Sequence, residues 1–379
     1  MHYFIFPESD TTLYFSSASM NAGLDEILEI RKDMKGDGTN VKASRILMKF
    51  DLSEISQSMV RNTIKNPKFY LNLFDANSTD LATSQSLWAY PVSQSWVPGD
   101  GFSSDVPVTS EGSSWNFRTS INDEDYWRPE SGSESGSYFQ GGAYYNTIYA
   151  SQSLNYDIKD IRMDVTPIVN GWLNRTFPNE GFIIKRTGSI GDGSATGSGD
   201  EGSNDRLGNF SFFSRETNTI YPPKLEVEWS DAKYSTGSLS ALDSSELEDL
   251  VIYMKNIRDK YKEKSKVKFR VSGRGRYPTK TYSTTSSPFL TTKFLPISQS
   301  SGDGFYYSVK DAETEDVIIP FGTGSLVSCD SSGNYFNMWL NAFQAERYYR
   351  FEFKMVSGSG TIDETVQYFD DNFTFKVVR

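Results

Sequence analysis

Short apolar runs bounded by turn residues mark the first 230 positions. Leu13-Tyr14-Phe15, Ile27 to Ile30, Ile46 to Leu52 and Phe69 to Phe74 each have the length of a strand. Clusters such as Lys35-Gly36-Asp37-Gly38 and Asp75-Ala76-Asn77-Ser78 separate them, and runs of this kind between Gly, Asp, Asn and Ser predict strands joined by turns. Leu225, Val227 and Trp229 alternate with Glu226 and Glu228, which predicts a strand with one apolar and one wet face. Tyr221-Pro222-Pro223 leads into it, a position where proline is tolerated. The exception is Asp164-Val165-Thr166-Pro167-Ile168-Val169-Asn170-Gly171-Trp172-Leu173. A capping Asp or Thr, an early Pro and one apolar side predict a short helix closing an end of the domain.

Two long stretches interrupt the strand pattern. Residues 98–145 combine Gly and Ser with Trp115, Trp127, Tyr138, Tyr144 and Tyr145, whereas residues 187–206 are nearly free of apolar side chains. Loops of this length are commonly functional, assembly-related or disordered.

Residues 231–264 read differently. Ser245-Glu246-Leu247-Glu248 resembles a capping box, and Leu247, Leu250, Val251, Met254, Ile257 and Tyr261 follow at helical spacing. Acids lie in the first turn and Arg258, Lys260, Lys262 and Lys264 near the end, matching the helix dipole. The pattern predicts an amphipathic connector helix of about four turns, whose stripe packs on its own chain or on a partner subunit. Period-2 alternation returns with Val267, Phe269 and Val271, then with Tyr349, Phe351, Phe353 and Met355, and closes with Phe373, Phe375 and Val377. No short internal repeat is seen, which argues against a solenoid or propeller. The expected fold is all-β: a jelly-roll-like sandwich over 1–230, the connector over 231–264, and an immunoglobulin-like sandwich over 265–379.

Composition sharpens this. Of 379 residues, 37% are hydrophobic and 15% aromatic, with 22 Tyr and 26 Phe; few aliphatics with many aromatics favour strands. The formal charge of −11 argues against neutralising a nucleic-acid backbone. Cys329 is the single cysteine, so no intrachain disulfide forms, which fits a reducing compartment. The start, Met1-His2-Tyr3-Phe4-Ile5-Phe6-Pro7-Glu8, lacks the basic region and apolar core of a signal peptide. No apolar run approaches the roughly 20 residues that span a bilayer, so folding in the cytoplasm is expected. His2 is the single histidine; Ser-His-Asp and Cys-His enzymes are thereby nearly excluded, and carboxylate or tyrosine chemistry remains.

Thr12-Leu13-Tyr14-Phe15-Ser16-Ser17-Ala18 with Asn21, Leu28-Glu29-Ile30, Ser44 to Leu52, the Asp164 to Trp172 block, Glu180-Gly181-Phe182-Ile183-Ile184 and Pro222-Pro223-Lys224-Leu225-Glu226-Val227 together resemble the DNRLRE family. That family is a jelly roll related to carbohydrate-binding modules and occurs in bacterial surface proteins and phage structural proteins. The second half, with Arg276 to Tyr282 and Tyr348-Tyr349-Arg350-Phe351-Glu352-Phe353, looks like virion structural proteins of T4-like marine phages. The resemblance implies a non-enzymatic virion protein of the tail, neck or baseplate, a place from which it could join a fibre to the particle. It would assemble in the host cytoplasm as a homo-oligomer contacting tail, neck or fibre subunits, without cofactor, nucleic acid or membrane insertion. The alternative is an adhesin module recognising surface glycans.

Candidate sites follow from these readings. Trp88, Trp96, Trp115 and Trp127 either plug the sandwich or stack on sugars; Trp115 and Trp127, with Tyr144 and Tyr145, are the preferred ligand-binding candidates because their loops are long and polar. The connector residues Leu247, Leu250, Val251, Met254, Ile257 and Tyr261 are the interface candidates. Asp192, Asp200, Glu201, Asn204 and Asp205 supply hard oxygen ligands, but their spacing matches no calcium loop, so no metal site is assigned. Asp123, Glu124 and Asp125 are the nearest thing to a catalytic carboxylate pair, and with 49 acids in the chain such clusters arise readily.

Overall fold

A computed structural model describes residues 1–34, 41–104, 106, 109–128, 141–155, 159–188, 201, 205–277, 292–297, 303–362 and 364–379. It divides into two compact units. The first comprises Ile5–Thr63 and Lys68–Val227; the second comprises Met1–Phe4, Ile64–Pro67 and Glu228–Arg379. Strands dominate both, and nearly every strand pair with a defined register is antiparallel. The fold is all-β, as the alternation predicts.

The chain opens with β1 (His2–Ile5), most of which belongs to the second unit, and the first unit comprises β2 (Ser9–Tyr14), β3 (Ile27–Met34), β4 (Val41–Lys49), helix α1 (Ser53–Val60), β5 (Lys68–Leu73), β6 (Ser84–Pro91), β7 (Ala150–Asn155), β8 (Ile161–Asp164), helix α2 (Thr166–Leu173), β9 (Phe182–Lys185), β10 (Gly208–Phe213) and β11 (Lys224–Glu228). One sheet runs β10-β3-β4-β9-β6-β7, with β2 also paired to β4, and a second contains β11-β5-β8. The expected helix is α2: Pro167 stands in its first turn, and Asp164 Oδ1 accepts from Thr166 N at 3.0 Å. Ile168, Val169 and Trp172 turn inward from it.

The wet face expected for β11 is not there, because both glutamates are buried. Glu226 accepts from Arg162 Nε at 2.9 Å and Nη2 at 3.1 Å, so a bidentate guanidinium replaces water. Glu228, at the strand end, accepts from Thr323 Oγ1 and Gly324 N, both at 2.8 Å.

The second unit adds helix α3 (Ser244–Glu248), β12 (Leu250–Lys255), β13 (Lys260–Lys262), β14 (Lys266–Gly275), β15 (Gly304–Asp311), β16 (Val317–Ile319), β17 (Ser328–Asp330), β18 (Gly333–Trp339), β19 (Tyr348–Ser357) and β20 (Thr365–Val378). Its sheets run β12-β14-β18-β17 and β13-β20-β19-β15-β16. Between them lies an aromatic core in which Phe269 meets Phe351 at 4.9 Å and Tyr307 stacks on Phe336 at 4.1 Å.

The connector helix is the main correction. Only Ser244–Glu248 is helical, capped by Asp243 and Glu246 rather than from Ser245. From Leu250 the chain is a strand, paired antiparallel with β14 from Leu250↔Gly275 to Lys255↔Arg270. The run Leu-Val-Ile-Tyr-Met is rich in β-branched and aromatic residues, and an available sheet edge decides between two admissible periods. Asn256, with φ 58°, then turns the chain out of β12, a conformation Asn adopts readily.

Candidate functional site

Register places Trp88 and its strand neighbours on one face of the β6–β9–β4 sheet. Leu47 opposes Ile183, and Ile183 also opposes Tyr90. Trp88 opposes Lys185, and two residues back from Leu47 in the same register lies Arg45. Because side chains alternate, Trp88, Tyr90, Ile183, Lys185, Arg45 and Leu47 share this face. The loop between β6 and β7 folds back over it: Leu47 and Ile183 pack with Val92, Trp96, Trp115, Trp127 and Ala143 in one apolar cluster.

That packing overturns the assignment of Trp115 and Trp127 as ligand contacts, since both are buried. Trp127 Nε1 donates to Ser114 O at 3.0 Å, and Arg45 lies 4.7 Å over the Trp115 ring. Gly141, at φ +80°, passes so close that a Cβ would sit 2.7 Å from Trp115. The long loop is polar in composition, yet its indoles serve as its anchor, because large aromatics gain most from burial. A second fastening is the buried Asn21. Its Nδ2 donates to Pro98 O at 2.6 Å and Ser113 O at 2.8 Å, while its Oδ1 accepts from Gly101 N at 2.8 Å and Gly23 N at 3.2 Å.

Beside the plug, four rings form a surface platform. Trp88 meets Tyr149 at 4.5 Å and Tyr90 at 6.3 Å; Tyr90 meets Tyr144 at 4.9 Å and Tyr149 at 6.0 Å. Tyr149 is 49% exposed, and Trp88, Tyr90 and Tyr144 are half-buried. Along the neighbouring β7, Ser151 lies opposite Trp88 and Ser153 opposite Ser86, whose hydroxyls meet at 3.2 Å. Trp88 and Tyr90 lie near-parallel, at 14°, with Tyr144 and Tyr149 tilted against them by 41° to 52°, so an aromatic surface beside a row of hydroxyls is presented to solvent. Of the expected ligand contacts, Tyr144 belongs to this platform, whereas Tyr145 packs on Phe177 at 5.2 Å. Tyr90 and Tyr149 were not singled out from the sequence. The alternation Ser84, Ser86, Trp88, Tyr90 along β6 was the available signal.

Charge lies under the platform. Lys185 is buried, with Nζ 5.4 Å from the Tyr144 ring and 5.8 Å from Tyr90, and burial pulls its pKa below the ordinary value against the opposing pull of Glu201. Burial likewise pushes the Tyr90 hydroxyl up to about 12, so the ring is neutral at any physiological pH. Glu201 joins the cluster through Arg45 and Lys185.

The remaining candidates resolve individually. Asp125 accepts from Arg118 Nε and Thr119 Oγ1, both at 2.7 Å, a loop fastening, while Asp123 and Glu124 are exposed. Asp37, Asp192, Asp200 and Asn204 lie outside the described residues; Glu201 is held by cations and Asp205 is exposed. Among the described residues no three His, Cys, Asp or Glu side chains converge on one point. Cys329 is buried, its thiol pushed up to about 11 by burial. The six interface candidates do not form a helical stripe. Leu250 is buried in the second unit's own core, with Leu247, Met254, Ile257 and Tyr261 packed against it, and Val251 is half-buried in β12. Tyr261 alone meets Phe269 at 5.1 Å and Phe375 at 5.8 Å.

No helix among the described residues is long and apolar enough to cross a membrane. A scan against protein-family models finds no match to this chain, and a search of curated proteins finds none either.

Proposed function

We propose that this chain is a non-enzymatic structural protein of a phage particle, placed in the tail, neck or baseplate and contacting tail, neck or fibre subunits. The observation that supports this most is how the chain spends its polar chemistry. Of the acids that a catalytic reading would recruit, Asp125 is a fastening to Arg118, and the buried Glu226 and Glu201 are likewise tied to Arg162 and Arg45. Two antiparallel β units with long loops bound down in this way suit a component that must hold its shape and offer surfaces. The DNRLRE-like motifs and the virion-like style of the second half point the same way. The test is mass spectrometry of purified particles, together with light scattering of the chain mixed with candidate tail and fibre proteins. Presence in particles and a defined complex support the proposal; absence from particles and a monomer indifferent to every such protein overturn it.

The platform of Trp88, Tyr90, Tyr144 and Tyr149 favours a second reading, recognition of surface glycans, because aromatic faces pack on the apolar faces of sugars. On a glycan array, saturable binding lost in Trp88→Ala and Tyr149→Ala would favour it; an empty array would remove it. Fold alone does not separate the two readings.

A further inference from the structure

Four basic side chains, Lys32, Arg45, Lys185 and Arg186, are buried around Glu201, the single buried acid there among the described residues. Arg45 donates to Glu201 through Nε, at 3.1 Å to both oxygens, and through Nη2 at 2.6 Å, and its Nη1 donates to Gly141 O at 2.6 Å. Lys185 Nζ lies 3.6 Å from Glu201 Oε2 and donates to Gly188 O. Arg186 donates to Gln85 Oε1 and, at 3.2 Å, to Leu207 O, yet its Nε has no hydrogen-bond partner. Lys32, 0% exposed, has no partner for Nζ.

Among the described residues the charges do not balance. A guanidinium keeps its proton at neutral pH; even Arg186, drawn down to about 10 by burial, remains cationic. Arg45 and Arg186 therefore outnumber the Glu201 carboxylate whatever the two lysines do. Asp205, the other acid acting on Lys32, is exposed and is screened by water. An uncompensated buried cation is costly; the unused donors are three on Lys32 Nζ and one on Arg186 Nε, on two cations that repel one another, and an anion would use them.

We propose that a small inorganic oxyanion, phosphate or sulfate, binds beside Lys32 and completes the charge balance around Glu201. Its oxygens would accept from Lys32 Nζ and Arg186 Nε, while Arg45 and Lys185 stay committed to Glu201. This goes beyond the assembly and glycan readings and does not depend on either.

The test titrates inorganic phosphate into the full chain at constant ionic strength, with chloride as the balancing salt, and follows thermal unfolding. A saturable rise in Tm of about 5 °C at hundredfold excess over Kd, lost in Lys32→Met and kept in the exposed control Lys68→Met, supports the site. A rise that never saturates, or an equal rise in Lys32→Met, overturns it. Should Lys32→Met fail to fold, equilibrium dialysis of the wild-type chain against radiolabelled phosphate decides: about one equivalent retained supports the site, and none retained overturns it.

Discussion

Arg45 and Glu201 form a buried ion pair that ties two loops to one strand. Arg45 stands in β4, Glu201 comes from the segment before β10, and the same guanidinium binds Gly141 O and covers Trp115. One side chain thereby fastens the ends of both long loops. Glu201→Gln removes the only buried counter-charge there among the described residues and leaves the cations around it uncompensated. The expected cost is about 3–5 kcal/mol, read as a fall in Tm of the first unit. Replacing both partners by Met should cost less than either single change, which a double-mutant cycle measures.

Trp115 and Trp88 should separate cleanly. Trp115→Ala opens a cavity in the plug and should cost about 3–5 kcal/mol, read by urea unfolding. Trp88→Ala, on the half-buried platform, should cost well under that and leave the unfolding transition cooperative, while removing any glycan response.

Asp10 gives the first unit a pH dependence. It is buried in β2, its Oδ2 accepts from Arg215 N at 2.8 Å, and burial, aided by Glu216 against Arg215, raises its pKa to about 7. Below about pH 4 the carboxyl is neutral folded and unfolded, and no penalty arises. As pH rises from about 4 to about 7 the unfolded chain releases a proton that the folded chain retains, so stability falls by up to roughly 4 kcal/mol and then levels. Asp10→Asn should flatten that slope and raise Tm at pH 8, as scanning calorimetry across pH 4–8 would show. An unchanged slope would contradict the assignment.

Asn21 holds the loop after β6 through both ends of its amide. Asn21→Asp keeps the acceptor but sets a carboxylate against Pro98 O and Ser113 O, and should cost more than Asn21→Ala, itself about 2–3 kcal/mol. Limited proteolysis should then cut between residues 98 and 113 at lower protease concentration than in the wild type.

The strand assignment of β12 makes its own prediction. Ile252, buried in β12 and absent from the helical stripe, should cost about 2–5 kcal/mol on truncation to Ala, while Val251→Thr, on the half-buried face, should cost under about 1 kcal/mol. The opposite order would restore a helix.

Strands with one buried face were legible because their period is strict: Phe269 and Val271, or Tyr349, Phe351 and Phe353, point to one side and are all buried. The short helix at Thr166 was legible because Pro167 fixes its start. Residues 247–261 misled because Leu247, Leu250, Val251 and Met254 satisfy a helical spacing while Leu250 and Ile252 satisfy a strand, and the pairing with β14 that decides is nonlocal. Loop composition misled too. Ser and Gly around Trp115 looked like exposure, but Gly141 is what lets the chain close over the indole. The platform needed the register, since Tyr149 reaches Trp88 only once β7 lies beside β6. The charge cluster draws on strands far apart in the chain, and no spacing announces it.

The second unit is assembled from three separated stretches, Met1–Phe4, Ile64–Pro67 and everything after Val227, and Phe4 sits in its aromatic core. The two units are therefore interleaved along the gene. A single recombination crossover near codon 228 would join a foreign first unit to a second unit deprived of its own Phe4, so the halves should be inherited as a pair and evolve in step, rather than being shuffled as free modules.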